Sequence, residues 1–254
     1  MISQILIFLF IQALSQVVAN TDQTQQTTTA KGVDYLNGYG TFTPSNLALW
    51  KVDSPSTDVQ FKSVEVNGIS SLQIVKSASA PLAFLTHHLS YQFPQNINPV
   101  HLMFNFYSTN VDTEDTNLRL LNSNLNKTVV LFRCGNAGFV RVNDNQMIDF
   151  YNSTIEEKSD PSEPTWTRCD IFLDWNSQTL RVYLNQTFKA EVNFYFNDVP
   201  NIDTIRVYNL KPSTMGYFQN IMVCDLPSCD GFLNSLLLKP IWSYLFIITL
   251  LLIL

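Results

Sequence analysis

From Thr167 onward, polar and apolar residues take turns. Cys169, Ile171, Leu173 and Trp175 fall on one side, and Arg168, Asp170, Phe172 and Asp174 on the other. A period of two marks a strand with one face buried. Asn176-Ser177-Gln178 turns the chain, 180–184 runs back, Asn185-Gln186 turns it again, and 188–194 follows. Beyond a polar loop at 197–201, Ile205 and Val207 alternate with Arg206 and Tyr208. Earlier, 59–66 and 69–75 flank Asn67-Gly68, a dipeptide suited to the positive φ angles of a type I′ hairpin. Residues 85–93 alternate so as to put His87 on the core side with Leu85 and Leu89 and His88 at the surface, with Pro94 closing the strand. Residues 101–107, 118–121, 129–134, 139–142, 147–151 and 217–224 continue the series. About a dozen short strands with no linker predict a single antiparallel sandwich or barrel.

The two ends break the alternation. An apolar run at 5–14 leads to Val17-Val18-Ala19, small residues where a signal peptidase would cut, so 1–19 is expected to be an export signal, although no Lys or Arg precedes the run. An uncleaved anchor is the alternative, and about ten apolar residues are short for a bilayer. Residues 20–41 read as a polar Thr/Gln-rich leader and a loop that docks on the sandwich, 42–225 as the folded body, and 226–240 as a spacer. The terminal run 241–254 is strongly apolar; as a helix it would reach only about 21 Å of a ~30 Å hydrocarbon core. A polar spacer before a short apolar tail is the pattern of a glycosylphosphatidylinositol attachment signal, with Ser228, Asp230 and Gly231 as candidate sites. A short single-pass helix and a buried terminal helix are the alternatives. The lipid anchor and the single-pass helix both place the protein on the outer face of the plasma membrane.

Composition and charge sharpen this picture. Aromatics at 13% and charged residues at 14% fit an extracellular β domain with a large core. A net charge of -6 argues against nucleic acid as a partner. Cys134, Cys169, Cys224 and Cys229 suit an oxidising compartment and allow three pairings. The favoured one joins Cys134 to Cys169, both on expected strands, and Cys224 to Cys229 as a staple at the domain's exit. Their spacing is not C-x₂-C and the histidines are distant in sequence, so zinc is not expected. Asn126, Asn152 and Asn185 head N-glycosylation triplets, all in expected turns or loops.

One stretch carries a resemblance. Trp166-Thr167-Arg168-Cys169-Asp170-Ile171 is followed by Asp174-Trp175-Asn176, Gln178-Thr179 and Arg181-Val182-Tyr183-Leu184-Asn185. Together with Ile205-Arg206-Val207-Tyr208-Asn209 and 217–223, it resembles the concanavalin A-like domains, which include laminin G-like, pentraxin-like and legume-lectin members. The likeness spans 42–225 and departs at Asn185-Gln186, where the family often has Asn-Gly. It implies an all-β antiparallel jelly-roll sandwich. The family holds carbohydrate binders, adhesion modules and glucan hydrolases, so function has to come from residues.

Hydrolases of this fold carry acids in an E-x-D-x-x-E arrangement, and glycoside hydrolysis needs two carboxylates roughly 5–9 Å apart. Asp170 and Asp174 lie on one strand face about 13 Å apart, and Glu156-Glu157 lie in a loop; all read as solvated acids. There is no G-x-S-x-G, and His87, His88 and His101 carry no signature, so no catalytic residue is assigned. The resemblance also implies that calcium is worth testing. The loops with Asp112/Glu114/Asp115, Asn143/Asp144/Asn145 and Asn197/Asp198/Asn201 fit no known calcium pattern, and no cofactor is assigned. A saccharide site would want an exposed aromatic beside amides or acids. Trp50, Trp166 and Phe172 are the candidates, with packing as the alternative role. The expected function is a non-catalytic cell-surface recognition or adhesion module that binds a glycan or a surface protein. The rivals are a structural coat protein without a ligand and a divergent glycoside hydrolase.

Overall fold

The computed structural model describes residues 32–80, 87–107, 115–135, 139–143, 146–149 and 166–227, which belong to one unit beginning at Gly32. In chain order the strands are β1 (Lys51–Asp53), β2 (Val59–Val66), β3 (Ile69–Lys76), β4 (His88–Ile97), β5 (His101–Tyr107), β6 (Asp115–Asn122) and β7 (Lys127–Gly135). They continue as β8 (Phe139–Val142), β9 (Gln146–Asp149), β10 (Trp166–Asp174), β11 (Thr179–Leu184), β12 (Thr187–Asn193), β13 (Ile202–Tyr208) and β14 (Thr214–Cys224). They form two seven-stranded sheets. One runs β1-β4-β13-β6-β7-β8-β9 and the other β12-β11-β10-β5-β14-β3-β2, with all neighbours antiparallel. This is a jelly-roll β-sandwich.

Alternation builds the core. Leu102, Phe104 and Phe106 of β5 meet Phe132 of β7 and Phe218 of β14, with the Phe104 and Phe132 rings 4.7 Å apart edge to face. Such ring pairs add to the stabilisation already gained by burying their area. The β2–β3 hairpin turns at Asn67 (φ 52°) and Gly68 (φ 76°), as the dipeptide predicts. The segment before β1 packs on the sandwich. Asp34 bridges to Cys224 and accepts from the Val223 amide, while Leu36 and Phe42 are fully buried. Gly40 is required there, because a Cβ at that position would stand 2.0 Å from the Ile221 carbonyl oxygen.

Four expectations change. The strand at 85–93 is instead His88–Ile97 and continues through Pro94. Its β1 neighbour has already ended, at the Lys51–Ser90 pair, and the register with β13 slips in the same region, so the missing N–H interrupts no regular ladder. His87 lies outside the strand at φ 66°, its Nδ1 against the Ser54 carbonyl, and His88 is buried. Asp170 is fully buried, not solvated: Arg168 grips it with two hydrogen bonds of 2.8 and 2.7 Å, and His101 Nε2 stands 3.0 Å away. Cys134 and Cys169 are present as buried thiols without the expected bond. They belong to opposite sheets, and both side chains lie in the core between them. Burial, then Asp170 and Cys134, push the Cys169 thiol well above its ordinary range, so it stays protonated. Cys224 is disulfide-bonded; its expected partner Cys229 lies outside the described residues.

Candidate functional site

On β13, Ile205 and Val207 point into the core, so Thr204, Arg206 and Tyr208 take the opposite face of the sheet. The same alternation turns Ser90 and Gln92 of β4 and Arg119 of β6 outward. Register then lines up side chains from four strands. Lys51 pairs with Ser90, Ser90 with Arg206, and Arg206 with Arg119, forming one rung across β1, β4, β13 and β6. One rung along, Asn117 pairs with Arg133 and Arg133 with Arg141. Four of the six arginines in a chain of net charge -6 thus lie on one face of one sheet.

A cleft of about 310 Å³ opens on this face, lined by Lys51, Asp53, Ser90, Gln92, Thr204 and Arg206. Leu49, 53% exposed, and Tyr91 also border it. The volume lies at the lower end of small-ligand sites, and the lining mixes cations, a carboxylate, an amide and hydroxyls. The acids near it are already engaged. Asp53 holds Ser90 Oγ at 2.8 Å, His88 Nε2 at 3.4 Å and Lys51 Nζ at 3.5 Å. Asp203 accepts from the Ser123 amide at 2.7 Å and from the Ser123 and Thr204 hydroxyls at 2.8 Å.

The arginines are less well served. Arg119 reaches the Thr128 hydroxyl through Nε and Nη2. The Nε of Arg206 is shut off from solvent and has no hydrogen-bond partner. Burial pulls the Arg206 guanidinium below its ordinary range; Asp53 opposes this, Arg119 adds to it and Asp203 opposes it. Burial and then the Arg206 charge push His88 down to about 4, against a smaller upward pull from Asp53. His88 is therefore neutral at pH 7.

The outer face of the other sheet differs. Its two arginines are each paired with an acid, Arg168 with Asp170 at 2.7 Å and Arg181 with Glu191 at 3.3 Å. Phe172 lies there, stacked on His101 at 4.4 Å and edge-on to Tyr183, and Trp166 packs against Tyr107. Both are half-buried. Trp50 is a core residue, 5% exposed, its indole N–H donated to the Tyr39 carbonyl. None of these three candidate saccharide-binding aromatics lines the cleft.

The remaining candidates are scattered. Asn126 and Asn185 occupy exposed turns with φ of 50° and 45°, between β6 and β7 and between β11 and β12. Asn152 and the attachment candidates Ser228, Asp230 and Gly231 lie outside the described residues. Of the calcium-loop candidates, Asp115 is buried and accepts from the Leu210 and Lys211 amides and from Asn117. Asn143 accepts from the Leu131 amide and donates to the Asn193 carbonyl, Asp198 pairs with Lys127, and Asn201 accepts from Asn122. Asn197 is exposed, while Asp112, Glu114, Asp144 and Asn145 lie outside the described residues. Among the described residues no group of three His, Cys, Asp or Glu side chains converges on a common point, and no helix is long and apolar enough to cross a membrane. Asp174 accepts from the Asn176 and Ser177 amides and shapes a turn.

No known family and no curated protein matches this sequence. Solved structures do. A sialidase aligns with TM-score 0.52 and 13% identity over 76% of this chain and 18% of its own. The globular domain of T. cruzi calreticulin aligns with TM-score 0.43 and 17% identity over 71% of this chain and 85% of its own. A tetrameric galectin from the ball sponge Cinachyrella sp. gives 0.40 and 9% over 54% and 99%. The chain thus spans less than a fifth of the sialidase it matches, and identities this low speak for fold alone. The two-sheet topology and this match agree with the resemblance carried by residues 166–209: the fold is a concanavalin A-like jelly roll.

Proposed function

We propose that the protein is a non-catalytic recognition module of the cell surface and that it binds a saccharide in the cleft across β1, β4 and β13. The observation that carries this reading is the cleft itself: a concavity in which Ser90, Gln92, Thr204 and Arg206 present hydroxyls, an amide and a guanidinium from regular strands. Strand-borne groups are held in place before a ligand arrives, which lowers the ordering cost of binding. The two acids that invited a hydrolase reading support the non-catalytic one. Asp170 is buried and tied to Arg168 and His101, and Asp174 holds a turn. Display on the outer face of the plasma membrane, a lipid anchor and glycans at Asn126 and Asn185 belong to the same proposal. They rest on the apolar ends and the acceptor triplets.

A glycan array probed with the purified protein, with and without calcium, tests the reading. Binding to a defined set of saccharides is the expected outcome. An array silent under both conditions would remove the recognition function and leave a coat protein without a ligand. Turnover of an array saccharide would replace binding with catalysis.

A further inference from the structure

The cleft also indicates which saccharides it takes, an inference that rests on the recognition reading above. Every arginine of the opposite sheet has a carboxylate, whereas Arg206 and Arg119, side by side on adjacent strands, make no ion pair among the described residues. Two guanidinium groups next to each other repel, and a charged donor cut off from water without a partner is costly to keep. Asp53 and Asp203 offset this in part at a distance, but neither makes a hydrogen bond or ion pair with Arg206. Asp53 is held by Lys51, His88 and Ser90, and Asp203 by Ser123 and Thr204. Arg206 Nε has no acceptor from the protein, and the Arg206 side chain lines a cleft wide enough to admit one.

We infer that the missing acceptor is an oxyanion on the ligand and that the cleft takes a carboxylate- or sulfate-bearing saccharide, its acidic group against Arg206, with the Arg119 charge on the neighbouring strand adding to the attraction. A planar guanidinium offers two parallel N–H donors matched to the oxygens of either group. The hydroxyls and amide of Ser90, Gln92 and Thr204 then face the sugar ring, and Asp53 accepts from a ring hydroxyl on the side away from the anion. The lining therefore fits an acidic sugar better than a bare inorganic anion, which has no use for Asp53.

The test is a binding titration of the full chain with four probes of matched size: a sialylated oligosaccharide, a sulfated one, the neutral parent oligosaccharide, and inorganic sulfate. Binding of either acidic saccharide at least about 10-fold tighter than the neutral parent, and weakened by added salt, is expected. Arg206→Gln should lower that affinity by about 10- to 100-fold. Arg206→Lys, which keeps the charge and the fold but loses the fork, should fall in between. Arg181→Gln on the opposite sheet should match the wild type. Equal affinity for neutral and acidic saccharides, or an unchanged affinity in a folded Arg206→Gln, overturns the inference while leaving saccharide recognition standing. Inorganic sulfate that binds as tightly as the acidic saccharides overturns the assignment to a sugar. Silence with all saccharides removes both readings together.

Discussion

His88 shows how one residue reports on its surroundings. Its ring is buried on the arginine-bearing face, beside Asp53 at 3.4 Å and edge-on to Tyr208. Burial and Arg206 hold its pKa at about 4, below the ordinary 6.5. The folded protein therefore keeps His88 neutral while the unfolded chain takes up a proton. Stability from this residue is fully present above pH 6.5, falls as the pH drops from 6.5 to 4, and levels off below 4. The loss amounts to at most about 3 kcal/mol. Urea unfolding of the wild type and His88→Gln at several pH values between 7.5 and 4 should show the wild type losing ground to the variant as the solution is acidified. A difference constant with pH would contradict the burial and charge balance described. The sequence puts His88 on the face opposite Leu89 and therefore at the surface, whereas the ring is buried. Its burial is not legible there, because the neighbours that cover and charge it, Arg206, Asp53 and Arg119, come from three other strands.

At the level of elements, the strands themselves were legible. One buried face per strand imposes a period of two, and β2, β5, β8, β10 and β11 follow it within a residue or two at each end. β1, three residues with half-exposed side chains, carries too little alternation to be seen, and it supplies two walls of the cleft. Pairing across distance is the other blind spot. His101 and Asp170 are 69 residues apart and meet only because β5 and β10 are neighbours. The resulting Arg168–Asp170–His101 cluster fixes that strand pair. Replacing Asp170 with Asn leaves Arg168 without its carboxylate and should cost about 3 kcal/mol in chemical denaturation, as removal of one partner from a buried ion pair does. Asp174→Asn, in the exposed turn at the end of the same strand, should cost far less. Equal costs would show that the cluster adds nothing beyond the local fold.

For the molecule as a whole, the division of labour is between its two sheets. One packs aromatic rings and acid-paired arginines on its outer face. The other gathers Arg119, Arg133, Arg141 and Arg206 beside a polar cleft. The fold class was readable from alternation and from the resemblance carried by residues 166–209. The site was not, because a rung such as Lys51–Ser90–Arg206–Arg119 draws on residues spread over more than half the chain and exists only once strand order and register are known. Aromatic residues drew attention instead, and Trp50 proved to be core. The most direct test of the account follows the arginine Nε–H signals of the full chain by nitrogen-15 NMR as the tightest-binding acidic saccharide is added. Six arginines give six signals, and the Arg206 Nε–H, without an acceptor in the free protein, should move furthest, with Arg119 next. Movement confined to Arg168 and Arg181, or no movement at saturating saccharide, would place recognition elsewhere and contradict the account.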